Sequence, residues 1–495
     1  MTLMDRWSAS VLGAVVVFVA VSRAALWSPH PDHYDFANFA LAVERFDPVE
    51  HRPHPPGYPL LILTAKALAM AGLPVMAALQ VTGLAGSLAA VLGAFWLGRR
   101  LAGERGGIQA AFLLAVEPVF WYSGLNSPVR SYLAAGVCWL LYCLVELAGG
   151  RRSMAWMAAA LVALFSGFRP EVAPFFAVPF VVAARMGGFG WRDAAKAAGL
   201  CAALCLPWLA WIVSAYPSPY EFARIQYYYF LFHASTSSAL LGAPPGAWQS
   251  MLQNTLLWNG VPAVAAVAAL RGRPIDSRFY LIAAAFFLPA LAVQLGVHLG
   301  YDAPDHALGT IAALVVFAGA RLAAPAVAIL AAASILLVSL AAPGSRPPEI
   351  DRLSLRAWVR HQQSVDGMLR GLRQAMRPQD ALVVTDDSPL GARLLQFEFP
   401  RHLVFSLDST LGSQSPPAGW RFAGPRQTPL DPAGIPLTSV RRLHFVAGPQ
   451  RKLIQERLCG QLACEEHPEA LQVDLRRATG PLDLPPYRLL PLPDK

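Results

Sequence analysis

The segment of residues 28–68 is rich in carboxylate and imidazole side chains, although only 14% of the 495-residue chain is charged. The carboxylates are Asp32, Asp35, Glu44, Asp47 and Glu50, and the imidazoles are His30, His33, His51 and His54. A carboxylate can act as a general base that takes the proton of an attacking hydroxyl. With an ordinary pKa of about 3.9, an Asp is ionised at neutral pH. We therefore expect acid–base chemistry in this segment.

Two elements must position these groups. Residues 36–45 have helical spacing, with Phe36, Phe39 and Val43 on one face, which predicts an amphipathic helix at a membrane surface with Asp35 as its N-cap. Residues 60–72 predict a second short helix beyond a proline-rich turn. The His-x2-His pairs could bind zinc, but prolines break them and a catalytic constellation is lacking, so we expect no metal.

The rest of the chain predicts a membrane. Hydrophobic residues make up 55% of the sequence, and its charged fraction lies far below the 25% or so of soluble domains. This excludes an ordinary soluble enzyme and a disordered protein. The net charge of +9 does not indicate nucleic-acid binding, because the arginines lie in short loops between apolar runs and are explained by membrane orientation.

The apolar runs predict an all-α polytopic membrane protein of about 11 transmembrane helices. The expected spans are 7–27, 75–97, 107–125, 131–149, 154–168, 170–184, 195–214, 257–270, 279–297, 306–320 and 324–342. With the N-terminus inside, the inner loops carry thirteen Lys and Arg residues and the outer side carries seven. We therefore expect a cytoplasmic N-terminus and a periplasmic or extracellular C-terminal region. The Ala-, Arg- and Pro-rich composition suggests a bacterium, so the expected location is a bacterial inner membrane.

Two domains follow from this pattern. Residues 1–342 form the transmembrane domain with an outer catalytic loop at 28–74, and residues 343–495 form an extracytoplasmic soluble α/β domain. In this tail, helical patterns at 353–376 and 389–397 accompany strand-like runs at 381–385, 402–407 and 443–446. Cys459 and Cys464 could pair in an oxidising compartment or remain free thiols.

The outer loop carries a recognisable motif. Asp35 stands four residues before Phe39-Ala40, and the stretch His54-Pro55-Pro56-Gly57-Tyr58-Pro59-Leu60 follows. Together they resemble the C-type (GT-C fold) membrane glycosyltransferase superfamily, in particular bacterial protein O-mannosyltransferase-like and aminoarabinose transferase-like proteins. One departure is that the acid is not followed by Glu. The register also fits Asp32, which precedes Phe36-Ala37, but the longer FALAV pattern favours Asp35.

The resemblance implies an inverting glycosyltransferase (a hexosyltransferase) that uses a polyprenyl-phosphate sugar. Asp35 would be the general base, with Asp32 as the alternative. Cations would stabilise the leaving phosphate, and other side chains would line the substrate site. The expected substrate-binding residues are His54, Arg169, Arg130, Arg52, Tyr58, Lys66, Tyr122, His298 and Tyr301. The acceptor would be a protein, lipid or glycan hydroxyl. A divalent cation is an alternative that we do not expect.

Two other functions remain open. The chain could be a transporter or flippase of a lipid-linked or polar substrate, although it lacks an internal repeat. It could also be an inactive membrane scaffold that presents the tail. Arg130, Arg169 and Lys66 could then simply extend to lipid headgroups, and Glu171 could pair with Arg169.

Overall fold

The computed structural model describes most of the chain. The described residues are 5–32, 34–237, 260–293, 304–340, 354–384, 391–407, 422–423, 428–429, 434–437, 439–446 and 450–491. Two compact units can be distinguished. The helical unit comprises Met1–Trp27 and Ala42–Val359, and the C-terminal unit comprises Ser28–Leu41 and Arg360–Lys495. The predicted domain boundary at residue 342 falls outside the described ranges and stays a prediction.

The helical unit confirms the polytopic membrane fold. Its helices are α1 (Arg6–Ala24), α3 (Pro59–Met70), α4 (Val75–Ala115), α5 (Pro118–Asn126), α6 (Arg130–Ala148), α7 (Ser153–Phe168), α8 (Val172–Met186), α9 (Trp191–Ser214), α10 (Pro219–Ser237), α11 (Gly260–Ala269), α12 (Ser277–Val293), α13 (Leu308–Arg321) and α14 (Ala324–Leu340). Helix α2 (Tyr34–Glu44) belongs to this unit only from Ala42 on. Among the described residues, α1, α4, α6 and α9 are long and apolar enough to cross a membrane individually. Shorter apolar helices are α3, α7, α8, α11, α12, α13 and α14.

Helix α4 contains the predicted span 75–97 and the first part of the predicted span 107–125. Its helical geometry is interrupted at Ala102 and Gly103, and Gly103 has a φ of +74°, which a glycine adopts without steric cost. The chain therefore turns back between 75–97 and the next span, as the arginine-rich loop predicts. The predicted span 107–125 is divided at Glu117, because Pro118 starts α5 and has no N–H to continue the preceding helix.

Small residues let the helices approach closely around α4. A Cβ added to Gly319 of α13 would lie 2.6 Å from the Cα of Ala110, and one added to Gly83 would lie 2.9 Å from the Cα of Pro128. Lipid tails are as apolar as the side chains, so membrane helices gain little from burying apolar surface against each other. Close backbone approach stabilises their association through van der Waals contacts. The packing fixes the helix ends that carry the candidate site.

The C-terminal unit is an α/β structure, as predicted. Its helices are α15 (Leu355–Ala375), which begins in the helical unit, α16 (Ala392–Glu398) and α17 (Arg451–Leu458). Its strands are β1 (Asp380–Val384), β2 (Leu403–Ser406), β3 (Phe422–Ala423), β4 (Thr428–Pro429), β5 (Ile435–Leu437), β6 (Arg442–Val446), β7 (Cys464–Glu466), β8 (Ala470–Asp474), β9 (Leu482–Leu484) and β10 (Tyr487–Pro491).

The strands form two sheets. The larger has the order β4-β3-β2-β1-β6-β8-β7, with β1 parallel to both β2 and β6, and the smaller has the order β5-β10-β9. Successive side chains of β1 alternate between two cores. Ala381 and Val383 pack on one face, and Leu382 and Val384 pack against α15 and α16 on the other. The central strand is therefore buried on both faces, which explains its unbroken apolar run.

The tail cysteines are joined. Cys459 and Cys464 form a disulfide at the end of α17, so the structure decides between the two alternatives left open by the sequence. Such a bond is typical of extracytoplasmic compartments. The cysteines within the helical unit, Cys138, Cys143, Cys201 and Cys205, are free.

Candidate active site

The acid-bearing helix differs from its prediction. α2 begins at Tyr34, so Asp35 lies in its first turn and is not its N-cap. The predicted amphipathic surface helix is also wrong, because every side chain from Phe36 to Val43 is buried, including Asn38. Small residues stand between the larger apolar ones, so both faces of the helix can pack, and Asn38 is buried with them. Asp35 itself is half-buried at the helix N-terminus, where the helix dipole stabilises an ionised carboxylate.

The two candidate bases belong to the C-terminal unit. Both lie in Ser28–Leu41, the stretch of chain that packs with residues 360–495. Asp32 is 1% exposed, whereas Asp35 is more accessible. A base that must reach a substrate hydroxyl needs access, so burial favours Asp35 over Asp32.

The proline-rich turn lies in the helical unit and buries its imidazole. His54 is 4% exposed, and its ring packs against Tyr58 at 5.1 Å and Tyr229 at 6.2 Å between ring centroids. Tyr58 precedes α3 with a φ of +44°, a left-handed conformation that is strained for a tyrosine. Gly57 has a φ of +103° and lies against Ile212 of α9. The turn thus holds His54 and Tyr58 in a fixed cluster.

Arg169 joins this cluster from the end of α7. Its side chain is 2% exposed, and its guanidinium lies 5.9 Å from the centre of the Tyr58 ring. It is also hydrogen-bonded to Glu171, the pairing that the sequence offered as an alternative role. A charge buried this deeply requires compensation, and here a carboxylate and an aromatic face provide it.

Arg130 lies at the start of α6. Its Nη1 and Nη2 atoms lie 2.8 and 2.9 Å from the two ring nitrogens of His306. Two residues further along α6, the ring of Tyr132 stacks on Phe168 at 3.7 Å, which packs the beginning of α6 against the end of α7. Helix packing therefore fixes Arg130 and Arg169 at the same end of the helical unit.

A third arginine at this end was missed as a site residue. Arg23, the penultimate residue of α1, is fully buried, and its Nη2 donates to the Phe120 carbonyl at 3.2 Å. Its guanidinium lies over the Phe120 ring at 4.8 Å. No carboxylate among the described residues pairs with it. In the sequence, Arg23 looks like any other arginine at the end of a predicted span. Its complete burial in the structure distinguishes it from arginines that only set the orientation.

Of the remaining candidates, Tyr122, Arg52 and Lys66 lie within the described residues. Tyr122 is buried against Trp358, whose indole donates to the Leu26 carbonyl. Arg52 is buried with its Nε 3.8 Å from Glu50. Lys66 is half-buried in α3, and within the described ranges no hydrogen bond or ion pair joins it to the cluster. His298 and Tyr301 lie outside the described residues.

The described part of the chain contains no group of three or more His, Cys, Asp or Glu side chains placed to hold a metal ion. The expectation that the chemistry proceeds without a metal stays a prediction.

Comparison with solved structures identifies the fold. The apo crystal structure of ArnT from Cupriavidus metallidurans matches with a TM-score of 0.59 and 15% identity, covering 93% of this chain and 97% of that one. The structure of the same protein bound to undecaprenyl phosphate matches with a TM-score of 0.58 and 14% identity, covering 94% and 97%. The Archaeoglobus fulgidus oligosaccharyltransferase AglB, in complex with an inhibitory peptide and a dolichol-phosphate, aligns at a TM-score of 0.46 and 11% identity over 92% and 70%.

No family model matches the sequence, and comparison with curated proteins gives no match. The similarity to ArnT extends over nearly the full length of both chains. It confirms, at the level of the fold, the resemblance that the HPPGYPL motif indicated. The chain has the GT-C architecture of ArnT: a polytopic helical membrane region followed by a C-terminal domain.

Proposed function

We propose that this protein is an inverting glycosyltransferase that moves a sugar from a polyprenyl phosphate to an acceptor hydroxyl. The observation that carries the proposal is Arg169, a buried cation placed over the ring of Tyr58, which itself packs against His54 in the HPPGYPL turn. Charged groups at membrane depth are costly and mark functional sites. The fold is shared with ArnT, which was crystallised with undecaprenyl phosphate. A lipid-linked phosphate is therefore the anion that we assign to this cation.

The reaction is a displacement at C1 of the sugar. The acceptor oxygen forms a bond to C1 as the bond between C1 and the phosphate oxygen breaks, so the configuration at C1 inverts. The acceptor proton passes to the Asp35 carboxylate and then to water, and the electron pair of the broken bond leaves with the polyprenyl phosphate. Asp32 is the alternative base, since it fits the motif in a second register.

The cations and aromatic side chains have separate roles in this proposal. Arg169 and Arg130 stabilise the charge that gathers on the leaving phosphate, with Arg52 and Lys66 as weaker candidates. His54 and Tyr58 orient the sugar or the phosphate, since an imidazole and an aromatic ring suit a hydroxyl-rich ligand. Tyr122, His298 and Tyr301 complete the proposed substrate-binding set, and no metal takes part.

The sidedness of the reaction follows from the charge distribution of the loops. We place the N-terminus in the cytoplasm and the acid-bearing segment and the C-terminal region outside, where the disulfide between Cys459 and Cys464 is stable. The acceptor is then an extracytoplasmic protein, lipid or glycan, and the transferred group is a hexose or a related sugar. The sugar donor is itself a lipid, so it enters the site from the bilayer.

The test is sugar transfer by the purified protein in lipid nanodiscs. A panel of radiolabelled polyprenyl-phosphate sugars is offered with candidate acceptors to the wild type, Asp35→Asn and Asp32→Asn. We expect the wild type to cleave one of the donors and Asp35→Asn to lower the rate by about 10²- to 10⁴-fold, since general-base catalysis contributes that much. Arg224→Gln, which changes an exposed ion pair on α10, is the matched control.

The outcomes separate the candidate functions. Loss only in Asp32→Asn would move the base to Asp32 and keep the enzyme class. A folded wild type that cleaves no donor would contradict the proposal. Substrate movement that depends on a proton gradient would then favour a transporter, and its absence a scaffold.

A further inference from the structure

A histidine fixes the acid-bearing segment to the rest of the C-terminal unit. The Nδ1 atom of His30 lies 2.7 Å from a carboxylate oxygen of Glu398, and its Nε2 atom lies 3.1 Å from a carboxylate oxygen of Asp366. The side chains of His30 and Glu398 are 12% and 7% exposed. The contact therefore joins residue 30 to the last residue of α16 and the middle of α15.

Neighbouring groups support the same attachment. The Ser28 hydroxyl is hydrogen-bonded to Gln362 of α15 and accepts the backbone N–H of His30 at 3.1 Å. Glu398 also accepts a hydrogen bond from Arg373, which lies in the last turn of α15. Ser28 and Asp32 are 4% and 1% exposed. Residues 28–30 are therefore held by polar contacts to α15 and α16, and Asp32 beyond them is buried.

The imidazole suits this position for a chemical reason. Each ring nitrogen of His30 lies within hydrogen-bonding distance of a different carboxylate, one on α15 and one on α16. These two contacts fix the ring plane and thereby the backbone that carries it. A glutamine side chain could replace one contact but not both.

We propose that His30 is a positioning residue for the base. It sets the place of Asp35, five residues further along the same segment, through its contacts with Glu398 and Asp366. The proposal rests on the proposed function and extends it. Helices α15 and α16 then belong to the catalytic apparatus, because the segment that carries the base is anchored to them.

The test is a double-mutant cycle in the full-length protein in nanodiscs, with His30→Gln, Glu398→Gln and the double variant. We expect each single variant to lower kcat for sugar transfer about tenfold, to leave the donor KM unchanged and to raise amide hydrogen exchange in residues 28–41. The double variant should be no slower than the slower single variant, because both remove one contact. His402→Gln, whose Nε2 lies 3.1 Å from the Arg377 carbonyl, is the matched control in this unit.

Thermal unfolding of each variant shows whether the fold is retained. A displaced base lowers kcat at constant donor KM, whereas a general loss of folded protein lowers the unfolding temperature. Unchanged kcat and unchanged exchange in both single variants would overturn the proposal, as would independent, additive effects. A folded wild type with no transfer would instead refute the proposed function, so the two failures are distinguishable.

Discussion

The arginines at the two ends of the helical unit make different contacts and differ in burial. At one end, which the loop charges predict to be cytoplasmic, three arginines meet carboxylates in a network, whereas Arg321 is buried there and donates to the carbonyls of Ala269 and Leu270. Arg100 contacts both Glu146 and Asp276, Arg278 lies 2.7 Å from Asp276, and Arg151 lies 3.1 Å from Glu146. We call these five residues the paired end. Its side chains reach water, as the 28% to 50% exposure of the arginines shows.

At the other end, Arg23, Arg130 and Arg169 are buried. We call these three residues the buried-arginine end. Arg169 pairs with Glu171, Arg130 contacts the ring of His306, and Arg23 donates to the Phe120 carbonyl and lies over the Phe120 ring. Among the described contacts, one carboxylate meets these three buried arginines, whereas two carboxylates meet the three more exposed arginines of the paired end. We propose that the buried-arginine end receives its further negative charge from a lipid-linked phosphate.

The largest effect should come from Arg169→Ala. Removing a preorganised cation that faces a developing negative charge should lower the rate of sugar transfer by about 10²- to 10³-fold. Arg278→Ala at the paired end is the control and should leave the rate per folded protein near that of the wild type. The measurement is steady-state transfer in nanodiscs. If both substitutions slowed transfer equally, the functional difference between the two ends would disappear.

Glu171→Gln should show how far Arg169 depends on its partner. Arg169 would be left with an uncompensated buried charge, and we expect a loss of about 1–3 kcal/mol in stability, less than for a fully buried pair because Glu171 is 24% exposed. Glu221→Gln, which breaks the exposed pair with Arg224, should cost about 0.5 kcal/mol or less. Thermal unfolding in the same detergent compares them, and equal shifts would mean that burial adds nothing.

The smallest effect concerns pH at the paired end. Hydrogen bonds from Arg278 lower the pKa of Asp276 below its ordinary value of 3.8. Because the folded-state pKa is the lower one, the pair stabilises the fold fully above pH 4 or so and loses that contribution as the pH falls through the folded pKa. Asp276→Asn should therefore cost about 1 kcal/mol or less at pH 7 and progressively less below pH 3.8.

The measurement is the difference in unfolding temperature between wild type and Asp276→Asn as a function of pH. A difference that grew as the pH fell would contradict the assignment.

The helices and strands were predictable because hydrophobic runs and turn residues are local signals. The runs at 131–149 and 154–168 gave α6 and α7 to within one residue, and the central strand β1 was found from its apolar run. The outer face of α2 was not predictable, because a helix with alanines between its aromatic residues fits both a surface position and a buried one. Only tertiary packing decides between them.

The site was predictable only where its partners lie close in sequence. The pair of Arg169 and Glu171 was predictable because the two residues are separated by two positions in sequence. Arg130 and His306 are separated by 176 positions, and His30 and Glu398 by 368. Arg23 carried no local signal that separated it from arginines that only set orientation. Which charges are buried and which are paired depends on contacts that no local pattern encodes.

The most direct test of the account is the binding of sugar-free polyprenyl phosphate to the wild type, Arg169→Ala and Arg278→Ala in nanodiscs, because binding is measured apart from the chemistry. We predict that Arg169→Ala raises the Kd at least tenfold or so, the loss of one charge-assisted contact, and that Arg278→Ala leaves it unchanged. Equal affinity of the wild type and Arg169→Ala would contradict the claim that the buried-arginine end receives the phosphate of a lipid-linked sugar.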